Sequence, residues 1–132
     1  MAASRAEIVR ELFERFYSGG VDNAVELLAD DFVLTVPPSM SAEPDDYEGL
    51  EGARRYFEAF EGMIEDLRFE VIEIEEQGEV AIAWMRFRGR GVSSGIEVEQ
   101  YAAVVNLVED GKVVRMESHP DMETARAVAR SW

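Results

Sequence analysis

Apolar residues near the start of the chain recur at helical spacing. They lie at positions i, i+1, i+4 and i+5 of one face: Ile8, Val9, Leu12, Phe13, Phe16 and Tyr17. Gly19 and Gly20 follow, and paired glycines are typical of a helix end. This pattern predicts a first amphipathic helix. Asp22 is a candidate N-cap for a short second helix.

Alternation takes over after the second predicted helix. The segment FVLTV at 32–36 predicts a strand that ends at Pro37-Pro38, and the polar segment 39–49 predicts a loop. From Leu50 to Ile64 the apolar residues return to helical spacing and predict a third helix.

The second half of the chain alternates with a period of two. Four runs, at 67–76, 79–90, 95–109 and 112–119, are joined by Gln-Gly, by Gly-Val-Ser-Ser-Gly and by Asp-Gly. We predict four strands in a meander, then a short helix that begins at Asp121. Together these elements predict an α+β fold in a single domain, 1–132, with helices held against one curved antiparallel sheet.

The two middle strands are apolar on both faces. Matching charges across their hairpin places Arg86 opposite Glu99, Arg88 opposite Glu97, and Trp84 opposite Tyr101. The alternate positions remain apolar, as in Ala83, Met85 and Val104, although an antiparallel sheet with one wet side would be polar there. We therefore expect helices on one face and a second copy of the chain, in a homodimer, on the outer face.

Charge and composition exclude several classes of protein. The net charge of −15 repels nucleic acid and anionic membranes, and no apolar run has membrane length. The absence of cysteine suits a reducing cytoplasm. With one histidine, metal binding would depend on acidic runs that are typical of solvated faces, and nucleotide-binding and serine-hydrolase motifs are missing. We expect no metal and no cofactor.

Three segments resemble the SnoaL-like family of the nuclear transport factor 2-like superfamily: VDNAVELLADDFVLTVP, YEGLEGARRYFEAF and VEDGKVVRMESHPD. The resemblance implies a cone-shaped barrel, in which a bent sheet wraps around the N-terminal helices and encloses an apolar cavity, and a dimer through the outer sheet face. Within that superfamily, the resemblance aligns the ketosteroid isomerase base and oxyanion donors with Val36, Phe13 and Ala103, which are all apolar. The Asp-Arg-Asp set of limonene-epoxide hydrolases is only partly imitated by Arg86 with Glu99.

The resemblance to SnoaL-like polyketide cyclases implies an acid/base role for Asp121. Desolvation at a pocket rim would raise the pKa of this carboxyl and allow it to remove a proton next to a carbonyl. His119 could relay the proton, since an unperturbed imidazole titrates near pH 6.5. Two structural alternatives remain open. Asp121 could only cap the last helix, and strand alternation points His119 to the outer face if Met116 and Ser118 face the cavity.

Large side chains supply the predicted pocket. Trp84 and Tyr101 combine apolar rings with polar tips, and Arg86 with Glu99 forms either a charge ladder or, if Arg86 turns inward, a site for an anionic or carbonyl-bearing ligand. Further candidates from the helices and the last strand share the apolar lining: Phe13, Phe16, Tyr17, Tyr56, Phe60, Met63 and Met116.

The sequence leaves two functions open. The first is a protein that binds a small apolar, carbonyl-containing or aromatic molecule, and that could act as a cofactor-free isomerase or cyclase. The second is a non-catalytic ligand-binding or protein-association module. Whether the protein is an enzyme stays undecided at this stage, because clustered inward carboxylates are not evident in the sequence.

Overall fold

The computed structural model of the protein describes residues 3–37 and 45–132, without the side chains of Asp45, Phe60 and Glu61. The helices are α1 (Arg5–Gly19), α2 (Val21–Ala24) with a 3₁₀ turn at Val25–Leu27, α3 (Gly49–Met63) and α4 (Met122–Ala129). The strands are β1 (Leu28–Val36), β2 (Asp45–Glu48), β3 (Ile64–Gln77), β4 (Val80–Gly91), β5 (Glu97–Glu109) and β6 (Lys112–His119). Among these helices, none is long and apolar enough to cross a membrane.

The strands form one curved, unclosed sheet in the order β2-β1-β6-β5-β4-β3. The α+β class and the meander of β3 to β6 are therefore confirmed. The expectation of a wholly antiparallel sheet is wrong at one place, because β1 pairs in parallel with β6. The chain between β1 and β6 contains all the other strands of the sheet.

Strand β2 departs from the prediction of a loop. Residues Asp45–Glu48 pair with β1, for example Tyr47 opposite Leu34. The segment DDYE has little intrinsic strand propensity, so its extended form depends on backbone pairing to β1 rather than on an apolar pattern. The rest of the predicted loop, 39–44, lies outside the described residues.

The β5–β6 hairpin follows the sequence signal closely. Asp110 and Gly111 both have positive φ, 52° and 77°. A two-residue turn with left-handed backbone at both positions matches the right-handed twist of the strands that it joins, and Asp-Gly is a favoured pair for it.

The β4–β5 register differs by two residues from the prediction. Arg86 lies opposite Tyr101, Arg88 opposite Glu99, and Trp84 opposite Ala103. The backbone N–H of Gly91 donates to the carbonyl of Ile96, which closes a four-residue loop, and Gly95 in this loop has φ of 68°. Turn geometry therefore determines the register, whereas the prediction had matched charges. A shift of two residues preserves the face of every side chain.

The sheet separates two hydrophobic clusters. The inner face packs against α1 and α3, and buries Ala81, Ala83, Met85, Ala102 and Val104. The outer face packs against α4, and its own apolar residues form the second cluster: Val80, Ile82, Ala103, Val105, Ala125 and Ala129, with Trp84, Leu107, Met122 and Trp132 beside them. Part of the outer face is thus covered by the chain itself.

Candidate functional site

A pocket of about 210 Å³ lies beside β3, at the edge of the sheet. We call it the edge pocket, and its lining comes from α1, β3 and β4: Tyr17, Arg68, Phe69, Glu70, Arg86 and Arg88. Because β3 has a neighbour on one side only, side chains from both faces of the sheet can reach this edge. Two of the predicted pocket residues, Tyr17 and Arg86, line it.

Arg86 is the most constrained of the guanidinium groups in the edge pocket. Its terminal nitrogen lies 2.6 Å from a carboxylate oxygen of Glu70, which is its cross-strand partner on β3. Hydrogen bonding to Tyr101, and then to Glu70, raises the pKa of Arg86. Its Nε atom is buried, and within the described residues it has no hydrogen-bond partner. The site therefore holds a fixed cation with one donor unused.

Arg68 and Arg88 face each other directly across β3 and β4. Both also line a second pocket of about 430 Å³, together with Asp66, Gly89, Arg90, Glu97, Val98 and Glu99. The two pockets are thus neighbours that share this pair of arginines. Next to them, Arg90 contacts both Glu65 and Asp66 at 3.7 Å.

Trp84 and Tyr101 lie together but not in the predicted cavity. Their rings stack with centroids 5.7 Å apart and planes at 21°. They are diagonal neighbours on the outer face, where Trp84 packs on the cluster beneath α4 and Tyr101 is 42% exposed. The expectation that they share a pocket with Phe13 and Phe16 is wrong, because their strand positions alternate with those that face the helices.

The space between the helices and the inner face is occupied by aromatic rings. Phe13 and Phe16 are buried, and the Phe16 and Phe57 centroids are 4.0 Å apart. Both α1 rings also contact Phe69 of β3, at 6.2 and 6.3 Å. These rings belong to the inner hydrophobic cluster, in the region where the sequence predicts an apolar cavity beside Phe13 and Phe16.

The other predicted lining residues are dispersed. Tyr56 packs against the inner cluster, and burial raises its pKa. Met116 is buried in the same cluster, whereas Met63 is 60% exposed. The side chain of Phe60 lies outside the described residues. Glu99 lines the second pocket and, with the corrected register, lies opposite Arg88.

His119 occupies the outer face, as strand alternation predicts. It lies opposite Ala103 and is 6% exposed. Its Nε2 is buried without a hydrogen-bond partner in the described part of the chain, and it lies 3.7 Å from a carboxylate oxygen of Glu117. His119 is absent from the lining of both pockets described above.

Asp121 has the geometry of a helix cap. Its side chain accepts a hydrogen bond from the backbone N–H of Thr124 at 2.7 Å, at the start of α4. Bonding to Thr124 lowers the pKa of this exposed carboxyl, with a smaller contribution from His119. The expected raised pKa at a pocket rim is therefore wrong in direction. Among the described residues, no group of acidic or histidine side chains has the geometry of a metal site.

The edge pocket includes four residues that the sequence interpretation did not place in a site, namely Arg68, Phe69, Glu70 and Arg88. The sequence does contain a pattern that predicts them, because arginine and phenylalanine alternate in RFRGR at 86–90 and in RFE at 68–70. Alternation of this kind puts cations on one face of two neighbouring strands. The prediction paired Arg86 and Arg88 with carboxylates of β5, so it did not place them beside Glu70 and Arg68 of β3.

Comparison with known proteins gives a consistent result. Residues 9–116 match the profile of the SnoaL-like domain. A nuclear transport factor 2-like protein of unknown function from Burkholderia pseudomallei superposes with a TM-score of 0.77 at 25% identity, over 94% of each chain. No curated protein matches the sequence significantly.

Two more distant structures show the fold alone. A presumed SnoaL-like polyketide cyclase from Jannaschia sp. CCS1 has 18% identity and a TM-score of 0.76, covering 96% of this chain and 95% of that one. A ketosteroid isomerase-like protein from Catenulispora acidiphila, solved with trimethylamine, has 12% identity and a TM-score of 0.77, covering 94% and 92%. The fold is common to these neighbours, and the chemistry must be argued from the chain's own residues.

Proposed function

The chain belongs to the SnoaL-like domain family, and within that family we propose that it binds a small aromatic or carbonyl-containing molecule in the edge pocket. The observation that carries this proposal is the Nε–H group of Arg86. It is a buried donor on a charged group, and the described residues offer it no acceptor. A ligand oxygen would supply that acceptor once the side chains that cover this nitrogen move aside to admit it.

The energetics favour occupation of this donor. A buried hydrogen-bonding group without a partner costs about 1–3 kcal/mol, and more when it is charged. Glu70 and Tyr101 already bond to Arg86, so its guanidinium plane is held before a ligand arrives. A donor that is oriented in advance loses little side-chain entropy on binding.

Size and lining limit the ligand to a small molecule. The edge pocket, at about 210 Å³, is smaller than the range of about 300–1,000 Å³ typical of drug-sized ligands. A ligand with one ring or two fused rings therefore suits the volume of the edge pocket. Tyr17 and Phe69 offer aromatic surface, while Arg68 and Arg88 offer further donors.

We propose that the protein binds this ligand without catalysing a reaction. The predicted base, Asp121, is exposed and caps a helix, and its lowered pKa makes it a weaker base. In the edge pocket, Glu70 is engaged by Arg86. We accordingly propose neither cofactor nor metal, and we place the protein in the cytoplasm, as its lack of cysteine suggests.

The test compares 2-acetylnaphthalene with 2-ethylnaphthalene, which has nearly the same shape but lacks the carbonyl oxygen. Binding is measured from backbone amide shifts during titration by NMR. We expect the ketone to bind about tenfold more tightly, the equivalent of one hydrogen bond to a charged donor. Arg86→Lys, which keeps the charge but lacks the Nε–H group, should remove the difference. Equal affinities in the unmodified protein would contradict the proposal.

A second candidate function, self-association, is favoured by an exposed aromatic side chain on the outer face. Tyr101 is 42% exposed beside the area that α4 covers, and its ring stacks on that of Trp84. Apolar surface left exposed next to a packed cluster is typical of interaction sites. We propose that a second copy of the chain packs here and forms a homodimer.

A further inference from the structure

Arg68 and Arg88 are an unusual pair in this chain. Their Cα positions are directly opposite in the antiparallel β3–β4 ladder, so their side chains project from the same face. The protein carries 28 acidic residues against 13 basic ones, and carboxylate partners are therefore plentiful. Like charges placed opposite each other on neighbouring strands are unfavourable.

The arginines on either side of this pair are neutralised. Arg86 contacts Glu70, and Arg90 contacts Glu65 and Asp66. In contrast, neither Arg68 nor Arg88 forms an ion pair within residues 3–37 and 45–132.

Glu99 lies opposite Arg88 on β5, but the two make no ion pair, so Glu99 does not neutralise Arg88. The edge pocket thus contains three guanidinium groups and a single carboxylate, that of Glu70. It is locally cationic on a protein whose net charge is −15.

We propose that Arg68 and Arg88 form an oxyanion subsite, which selects ligands that carry a carboxylate. A planar carboxylate has two oxygens and can accept from two guanidinium groups at once. The ring of the ligand lies in the edge pocket near Tyr17 and Phe69, and its carboxylate bridges the two arginines at the boundary with the second pocket. This subsite rests on the proposed function, because that function places the ring.

The subsite changes the expected ligand from any small aromatic carbonyl compound to an aromatic acid. It also explains why the two arginines lack carboxylate partners on their own chain: a bound anion offsets their repulsion. Because the site is exposed, its contribution should weaken as salt screens the charges.

The test uses 2-naphthoate and 2-naphthamide, which differ in charge but hardly in shape, at low ionic strength. We expect the acid to bind at least about tenfold more tightly than the amide, as for a charge-assisted contact. Arg68→Gln and Arg88→Gln should each reduce that preference, with little change in affinity for the amide. Arg10→Gln, which removes an exposed arginine of α1 outside both pockets, is the matched control and should retain the preference.

Equal affinities for the acid and the amide in the unmodified protein would overturn the subsite, while the proposed function would survive if 2-acetylnaphthalene still binds.

If none of the naphthalene compounds binds, the proposed function fails, and a separate titration tests the subsite by itself. Acetate is then titrated against chloride at equal ionic strength, with the arginine Nε–H signals observed by NMR. Larger shifts at Arg68 and Arg88 than at Arg10 would support the subsite, and equal shifts would overturn it. Arg68→Lys and Arg88→Lys replace any glutamine variant that does not fold.

Discussion

The carboxylate of Asp121 accepts a hydrogen bond from the backbone N–H of Thr124 at 2.7 Å. This contact accounts for the position of an acidic residue directly after the last strand, because the first amides of a helix have no partner within the helix. A side chain held in this way contributes to the docking of α4 on the outer face. It is poorly suited to proton abstraction, since the same bond lowers its pKa.

Substitution of Asp121 should separate capping from catalysis. Asp121→Ala should lower the melting temperature, whereas Asp121→Asn should be nearly neutral, because an asparagine side chain can still accept the bond from Thr124. Thermal unfolding followed by circular dichroism measures both. An equal loss in the two variants would show that the negative charge, rather than the cap, is what matters.

The lowered pKa of Asp121 also predicts how the stability of the folded protein changes with pH. Since the pKa of Asp121 is lowered in the folded protein, its stabilising contribution should be fully present above the unfolded value of about 3.9. That contribution should disappear as the pH falls through the folded pKa. The difference in melting temperature between the unmodified protein and Asp121→Ala should therefore shrink below about pH 4. A difference that grows on acidification would contradict this assignment.

Phe16 tests whether the space under the helices is a core or a binding cavity. Its buried ring contacts Phe13, Phe57 and Phe69. Phe16→Ala should reduce the free energy of unfolding by about 3–5 kcal/mol, the usual cost of removing a buried phenylalanine ring. Urea denaturation provides the value. A loss below about 1 kcal/mol would mean that this ring borders open space.

The facing arginines predict a gain in stability on substitution. Arg68→Gln or Arg88→Gln removes one of two like charges at directly opposite strand positions, and we expect an increase of about 0.2–1 kcal/mol in the free energy of unfolding. Arg90→Gln is the contrasting variant and should be neutral or destabilising, since Arg90 contacts Glu65 and Asp66. The gain should decrease at high salt. Destabilisation by both glutamine variants, comparable with that of Arg90→Gln, would show that the pair is not repulsive.

Association through the outer face predicts a mass of twice that of the chain. Light scattering coupled to size-exclusion chromatography should give about 30 kDa for the unmodified protein, twice the chain mass of 14.9 kDa. Tyr101→Glu should give the monomer, since it places a charge at the exposed aromatic position of the outer face. Glu109→Gln, at the far end of the same strand, is the control. A monomer at micromolar concentration for the unmodified protein would remove the proposed dimer.

Much of the fold followed from periodicity and turn chemistry. The apolar stripe of α1 and the Asp-Gly turn at Asp110 indicated their elements directly, because helix faces and tight turns depend on residues close in the sequence. Strand β2 did not follow, since its polar residues are extended only through pairing with β1. The residues of β2 by themselves do not indicate that this segment pairs with another strand.

The candidate site was harder to predict because it depends on which residues meet across strands. A register error of two residues assigned Arg86 to Glu99, although its partners are Tyr101 on β5 and Glu70 on β3. The alternation that placed Trp84 and Tyr101 on one face was right. Nothing in the strand pattern indicated that α4 would cover part of that face, so the strands alone did not reveal which face is the inner one.

The most direct test of the central claim is an NMR titration of 2-acetylnaphthalene, in which the side-chain Nε–H signal of Arg86 is observed together with the backbone amides. If the edge pocket binds the ketone through this donor, the Arg86 signal should move downfield and saturate in step with the amide of Phe69, at one ligand per chain. An unchanged Arg86 signal, or saturable shifts confined to the helices around Phe13 and Phe16, would contradict the account and locate any binding in the interior instead.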